Sequence, residues 1–168
     1  RVLFRSARFK TVYAEVEPQM KVQGLTRHQV VTLASVVEKE TGAPEERPLI
    51  SSIFHNRLNK RMRLQSDPTI LYGMLDLTGI MPANITRADI MKPSAYNTYT
   101  VAALPVGPIG NPGKLALLAA VQPEQSEFFY FVSKNDGTHI FTKTYEDHSS
   151  QVRKFQVDPK AREGKSWR

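Results

Sequence analysis

Between Thr26 and Pro44 the chain carries a full set of helix signals, and this segment constrains the layout around it. Thr26-Arg-His-Gln29 is a capping box, with Thr at the N-cap and Gln at N3, and Leu25 ahead of it can staple the first turn. Val30, Val31, Leu33, Ala34, Val36 and Val37 follow, and Gly42-Ala-Pro44 ends the run. At about 100° per residue the apolar set centres near Val30 and Val37, so this helix has a broad stripe to bury. Its last turn holds two glutamates, Glu38 and Glu40, on opposite flanks of that stripe. A carboxyl held against apolar surface has its pKa raised and stays protonated near neutral pH, which is what a general acid requires. Glycosidic cleavage is a common use of such an acid. Residues two apart on a helix point about 160° away from each other. Glu38 and Glu40 therefore cannot flank one sugar bond as acid and nucleophile, and at most one of them serves a site. Periodicity does not choose between them.

The remaining elements follow from the same kinds of signal. Residues 8–22 suit a short helix. A second long helix runs from near Glu45 to Lys60, with Ile50, Ile53, Phe54 and Leu58 inward and Asn56 and Arg57 following that face. Arg61 to Ser66 is a short extended connection. Asp67-Pro68 reads as N-cap and N1 of a helix that buries Ile70, Leu71 and Met74. Thr86-Arg-Ala-Asp89 starts a short helix that stops before Pro93. Leu104 to Gly113 is so rich in Pro and Gly that it is a loop of fixed backbone shape. Asn111-Pro112 then caps a helix from Lys114 to Val121. Phe128–Ser133 and Thr138–Lys143 are strands joined at Asn135-Asp136-Gly137, and a last helix runs from Tyr145 to about Gln156. The result is α+β: a mostly helical single catalytic domain with one β-hairpin. A lead-in occupies 1–25, the catalytic domain 26–157 and a basic tail 158–168.

Bulk properties exclude several classes. The 168 residues suffice for one real core. With no Cys there is neither a disulfide framework nor a Cys-based zinc site. No apolar run is long enough to span a bilayer, and the chain opens on Arg1 without an initiator Met, reading as a piece of a longer protein. The net charge of +7 favours polyanionic partners, but much of the excess sits near the two ends. A nucleic-acid stripe runs along one helix or interleaves with aromatics, so nucleic acid is not the expected partner.

Around the helical glutamates, polar loops supply candidate sugar ligands: Gln65, Asp67, Tyr96, Asn97, Thr98 and Tyr99, with Asn56 and His139 beside them. Amide and hydroxyl groups bond sugar hydroxyls and N-acetyl groups, and Tyr rings stack on sugar faces. Asp67 reads first as a helix cap and second as a carboxylate in the site. His139 and His148 form no metal pattern, having neither an H-E-x-x-H spacing nor a third ligand. No metal and no cofactor are expected. The serines lack a G-x-S-x-G setting, and no G-K-[ST] follows the Gly-rich stretch.

The segments Ala34-Ser-Val-Val-Glu-Lys-Glu-Thr41, Phe54-His-Asn-Arg-Leu58, Met62-Arg-Leu-Gln-Ser-Asp-Pro-Thr69 and Tyr96-Asn-Thr-Tyr99 resemble the endolytic murein transglycosylases. So do Leu104-Pro-Val-Gly-Pro-Ile109 with Asn111-Pro-Gly113, and the hairpin Tyr130-Phe-Val with His139-Ile-Phe141. The match covers roughly residues 26–156. The resemblance implies a lysozyme-like or lytic-transglycosylase-like active site that cuts nascent peptidoglycan strands internally during cell-wall assembly and leaves 1,6-anhydro-N-acetylmuramic acid ends. It makes the protein a lyase and places the catalytic carboxylic acid directly before Thr, at Glu40. It also implies a bacterial inner-membrane protein with an extracytoplasmic catalytic domain, anchored by an N-terminal helix outside this sequence, with a LysM-like domain. Glycan strands are the expected partner and cell-wall synthases a further one. The sequence departs from the family where Leu-Pro-Val-Gly replaces Leu-Pro-Pro-Gly, and where Ser149 follows His148 in place of Asn. The alternative reading is a peptidoglycan-binding module that holds glycan without cutting it.

Overall fold

The computed structural model describes residues 2–158. Arg1 and the tail beyond Asp158 lie outside the described residues, so the basic tail placed at 158–168 is not described further. The elements are α1 (Val2–Gln23), α2 (Arg27–Glu40), a 3-10 turn (Pro44–Glu46), α3 (Arg47–Asn59), α4 (Asp67–Thr78), α5 (Arg87–Met91), α6 (Lys114–Val121), β1 (Tyr130–Ser133), β2 (His139–Thr142), α7 (Tyr145–Val152) and a π turn (Arg153–Val157). Together they make a mostly helical α+β unit whose sheet is one antiparallel pair.

Helix α2 is the central element. Its capping box forms as the sequence predicts: Gln29 N donates to Thr26 Oγ1 at 3.3 Å and Thr26 N donates to Gln29 Oε1 at 2.9 Å. From Thr32 to Val37 every residue is buried, not only those on the apolar stripe. The reason is the Pro/Gly-rich loop, which covers the face that periodicity leaves polar. Ser35 Oγ accepts from Ile109 N at 2.9 Å and donates to Thr32 O at 2.7 Å. With both bonds of its small hydroxyl made, Ser35 lets the loop backbone pack against the helix without leaving its own polar group unpaired. His28 Nε2 meets Val106 O at 2.8 Å and fixes the other end of the same loop.

Around α2 lie α1, α3 and α6. The shared core includes Val16, Val30, Leu33, Val37, Ile50, Phe54, Leu117 and Val121, all essentially inaccessible. Helix α1 begins well before residue 8 and contains Pro18. The chain leaves it through Gly24 at φ 65°, a conformation that glycine adopts without strain. Helix α4 starts one residue earlier than predicted, with Ser66 at the N-cap position and no side-chain cap bond. Asp67 is instead the first helical residue and is free to turn elsewhere. The N-cap of α6 is Gly113.

The hairpin pairs Tyr130 with Thr142, Phe131 with Phe141, Val132 with Ile140 and Ser133 with His139. Asn135 at φ 61° and Gly137 at φ 89° make its turn. Phe131 meets Phe54 of α3 edge-on, with ring centroids 6.1 Å apart, so the hairpin is docked on the core. Helix α7 packs against both strands. The predicted last helix changes register: after Val152 it continues as the π turn, which is tied to the hairpin by Asn135 Nδ2 donating to Phe155 O at 2.7 Å.

Candidate active site

Where α2 ends, the chain turns sharply away. Thr41 is extended at φ −138° and buried, and Ala43 N donates to its hydroxyl at 3.0 Å. Glu40 is therefore the last helical residue, and its side chain projects into a cleft of about 440 Å³. The cleft gathers residues from distant parts of the chain: Arg57 from α3, Met62 and Gln65 from the following loop, Asp67 from α4, Tyr99 from the loop after α5, Tyr130 and Phe131 from β1, and Tyr145 and His148 from α7.

The two glutamates have separate fates. Glu38 Oε1 accepts from Arg47 Nη2 at 2.9 Å, and its Oε2 accepts from Gly113 N at 3.0 Å. It thus clamps α2 to the starts of α3 and α6. Glu40 has no such partners, and its Oε1 is shielded from solvent without a hydrogen bond. Burial raises its pKa from 4.5 to about 7. The neighbouring Ser66 hydroxyl and the Arg57 guanidinium pull the value down, and the Asp67 carboxylate pushes it up. Position at a helix C-terminus, the negative end of the macrodipole, also favours the neutral acid.

Opposite Glu40, Arg57 is 6% exposed and held by its own fork. Its Nε donates to Phe129 O at 2.7 Å and its Nη1 to Leu64 O at 2.6 Å. One guanidinium thereby joins the loop carrying Gln65 to the strand carrying Tyr130. Its carbon lies 5.3 Å from the centre of the Tyr130 ring. Burial lowers the Arg57 pKa, and Tyr130, Glu40 and Tyr99 oppose that shift. Tyr99 Oη donates to Asp67 Oδ1 at 2.6 Å, and burial together with that carboxylate drives the phenol pKa upward. His148 stacks on Tyr130 at 5.2 Å, with its Nδ1 buried and unpaired. Its pKa is lowered, first by burial and then by Arg57.

The residues singled out in the sequence divide into two groups. Glu40, Gln65, Asp67 and Tyr99 meet in the cleft. Asn97 and Thr98 lie beneath it as scaffold. Asn97 Nδ2 donates to Lys92 O at 2.7 Å and Ile90 O at 3.0 Å, while its Oδ1 accepts from Tyr99 N at 2.9 Å. Thr98 Oγ1 accepts from Ser66 N at 3.0 Å, and Thr98 O accepts from Gln65 N at 3.2 Å. These bonds hold Gln65 at φ 50°, a left-handed conformation that costs a non-glycine residue roughly 1–2 kcal/mol. Tyr96 packs edge-on against Tyr72 at 4.8 Å, outside the cleft. Asn56 Nδ2 donates to Ser126 O and Phe128 O, both at 3.0 Å, and fixes the approach to β1. His139 is tied to Glu46 by two bonds, backbone N to Oε1 at 2.8 Å and Nδ1 with Oε2 at 2.7 Å. Asp67, read first as a cap, spends its carboxylate on Tyr99. Sequence reasoning did not assign Arg57, Met62, Tyr130, Phe131, Tyr145 or His148 to the site. Tyr130 and Phe131 belong to the hairpin block, and Arg57 to the α3 block, but nothing local says that they face Glu40. No group of His, Asp and Glu among the described residues is arranged to hold a metal ion.

The YceG-like family model matches residues 4–154. The chain belongs to the YceG-like family. The endolytic murein transglycosylase of Bacillus subtilis strain 168 is 36% identical over 137 residues, which cover 82% of this chain and 37% of that protein. The protein of the same name from Streptococcus pneumoniae serotype 2 is 36% identical over 135 residues, covering 79% of this chain and 24% of that one. The chain thus spans well under half the length of these relatives. A crystal structure of a yceG-like protein from Listeria monocytogenes superposes with a TM-score of 0.75 at 38% identity, covering 82% of this chain and 44% of that one. No helix among the described residues is long and apolar enough to cross a membrane.

Proposed function

We propose that this chain is the catalytic part of an endolytic lytic transglycosylase, a lyase that cuts the bond between N-acetylmuramic acid and N-acetylglucosamine within peptidoglycan strands. The observation that carries the reading is Glu40: a shielded carboxyl with a pKa near 7 at the floor of an aromatic-lined cleft. Protonated Glu40 donates to the glycosidic oxygen, and the bond from that oxygen to the muramyl C1 breaks with its electron pair going to oxygen. Positive charge develops at C1. The muramyl C6 hydroxyl oxygen bonds to C1, and its proton passes to the Glu40 carboxylate. The ring closes as 1,6-anhydro-N-acetylmuramic acid, the enzyme recovers its proton and no water is consumed. Gln65, Asp67 and Tyr99 contact the sugar, while Asn97 and Thr98 hold the loops that present them. Arg57 steadies Glu40 in the interval when it is ionised. In the cell this activity serves wall assembly at the outer face of the inner membrane, with synthases as neighbours and the anchor supplied by a part of the protein outside this sequence.

Asp67 gives a second reading some weight, because it places another carboxylate in the cleft and hydrolysis uses such a pair. Digestion of uncrosslinked strands in 18O-labelled water separates the two. A lyase yields anhydro ends that carry no label. Labelled reducing ends would instead assign the chain to the hydrolases. The outer glutamate is the control: Glu38→Gln loses about 1–2 kcal/mol of stability with its bonds to Arg47 and Gly113, and keeps kcat within a factor of a few. A loss of activity as large as that of Glu40→Gln would overturn the assignment of the acid.

A further inference from the structure

The geometry points to a glycan site that does not end at the Glu40 cleft but continues over Tyr145 into the basin beside α7, with subsites for sugars remote from the bond being cut. This rests on reading the cleft as a glycan site. Tyr145, the first residue of α7, lines the Glu40 cleft and also a separate open basin of about 770 Å³. Its side chain is one of the large exposed ones, 64% accessible, yet it is not loose. The ring meets Tyr130 edge-on at 6.0 Å and lies 6.4 Å from His148, which stacks on Tyr130. Three rings therefore make a continuous ridge from the cleft to the basin. An exposed ring braced by two others offers a fixed apolar face with a polar tip, the surface on which a sugar ring can stack at little entropic cost.

The basin identifies its occupant. Ser149 and Ser150 supply hydroxyls there, and the cations Arg153 and Lys154 are balanced by the acids Glu146 and Asp158. A polyanion such as nucleic acid requires uncompensated positive charge, which this lining lacks among the described residues. A neutral chain rich in hydroxyl and acetamido groups finds donors and acceptors of both kinds. Stem peptides of the polymer are not needed for this contact.

The test uses N-acetylglucosamine oligomers and the Glu40→Gln protein, with affinity read by calorimetry and location by amide chemical shifts. The hexamer is expected to bind about tenfold or more tightly than the dimer, a gain of about 1.4 kcal/mol. Shifts at Ser149, Ser150 and Arg153 should appear with the hexamer and not with the dimer. Adding Tyr145→Ala should shrink the length-dependent gain to under about threefold, a loss of stacking area on the scale of one aromatic contact, and Tyr145→Phe should preserve it. An undiminished gain in Tyr145→Ala, or hexamer shifts confined to the Glu40 cleft, would overturn the extension and leave the cleft reading standing. Failure of both oligomers to bind the Glu40→Gln protein would overturn the cleft reading together with its extension.

Discussion

Glu40→Gln is expected to lower kcat on glycan strands by roughly 10³-fold or more, the scale of a positioned general acid that also returns as base, while strand binding should persist. Its effect on stability is equally diagnostic and runs the other way. In the folded wild type the Glu40 carboxyl titrates near 7 instead of 4.5 because burial penalises its charge. The stabilising contribution of the neutral acid is therefore complete below about pH 4.5 and is lost as pH rises through about 7. Glutamine carries no charge at any pH. The variant should match the wild type near pH 4.5 and exceed it at pH 8–9, by up to roughly 3 kcal/mol or several degrees in Tm. A solvated glutamate replaced by glutamine would show neither effect. Thermal melts of both proteins at pH 4.5 and 8.5 read the difference directly, and equal melting at pH 8.5 would contradict the burial argument.

Arg57 should be the most destabilising single position around the cleft. Its guanidinium is nearly inaccessible and satisfies Phe129 O and Leu64 O from two different segments. Arg57→Ala strands both carbonyls and leaves a cavity beneath Tyr130, at a cost of about 3–5 kcal/mol, or roughly 10 °C in Tm. The informative variant is Arg57→Lys. Lysine keeps the charge but has no planar fork to span two carbonyls, so it should lose most of the same stability. Near-wild-type melting of Arg57→Lys would show that charge alone matters there. Because the Arg57 charge lowers the pKa of Glu40, any folded Arg57→Ala fraction should keep its acid protonated to higher pH. The alkaline fall of its pH–rate profile then moves upward.

The helices, the hairpin and its turn were legible because each carries local signals: the Thr26 and Thr86 boxes formed, and Asn135 with Gly137 made the predicted turn. The burial of α2 on all sides was not, since the cover comes from a loop more than 70 residues away that meets Ser35. The same limit governs the site. Glu40, Gln65, Asp67 and Tyr99 stand next to helix ends and turns that the sequence marks. Asn97 and Thr98 lie in the same motif but face inward, because a rigid loop needs its own polar groups satisfied before it can present Tyr99. Arg57, Tyr130 and His148 reach the cleft only through packing of the hairpin and α7 on α3. Alternation along a four-residue strand does not say which face meets a helix end elsewhere in the chain. Glu38 and Glu40 illustrate the point most sharply: symmetrical about the apolar stripe in sequence, they are separated by what waits on each side, Arg47 and Gly113 N for one and an unpaired cleft floor for the other.

The central claim is that Glu40 is a carboxylic acid held neutral near physiological pH. Following its side-chain carboxyl carbon by NMR from pH 4 to 9, with Glu40→Gln to assign the signal, measures that property without any substrate. A midpoint near 7 is expected, matched by the alkaline limb of kcat/KM on glycan strands. A midpoint near 4.5, the value of an ordinary exposed glutamate, would contradict the account of the acid and with it the proposed chemistry.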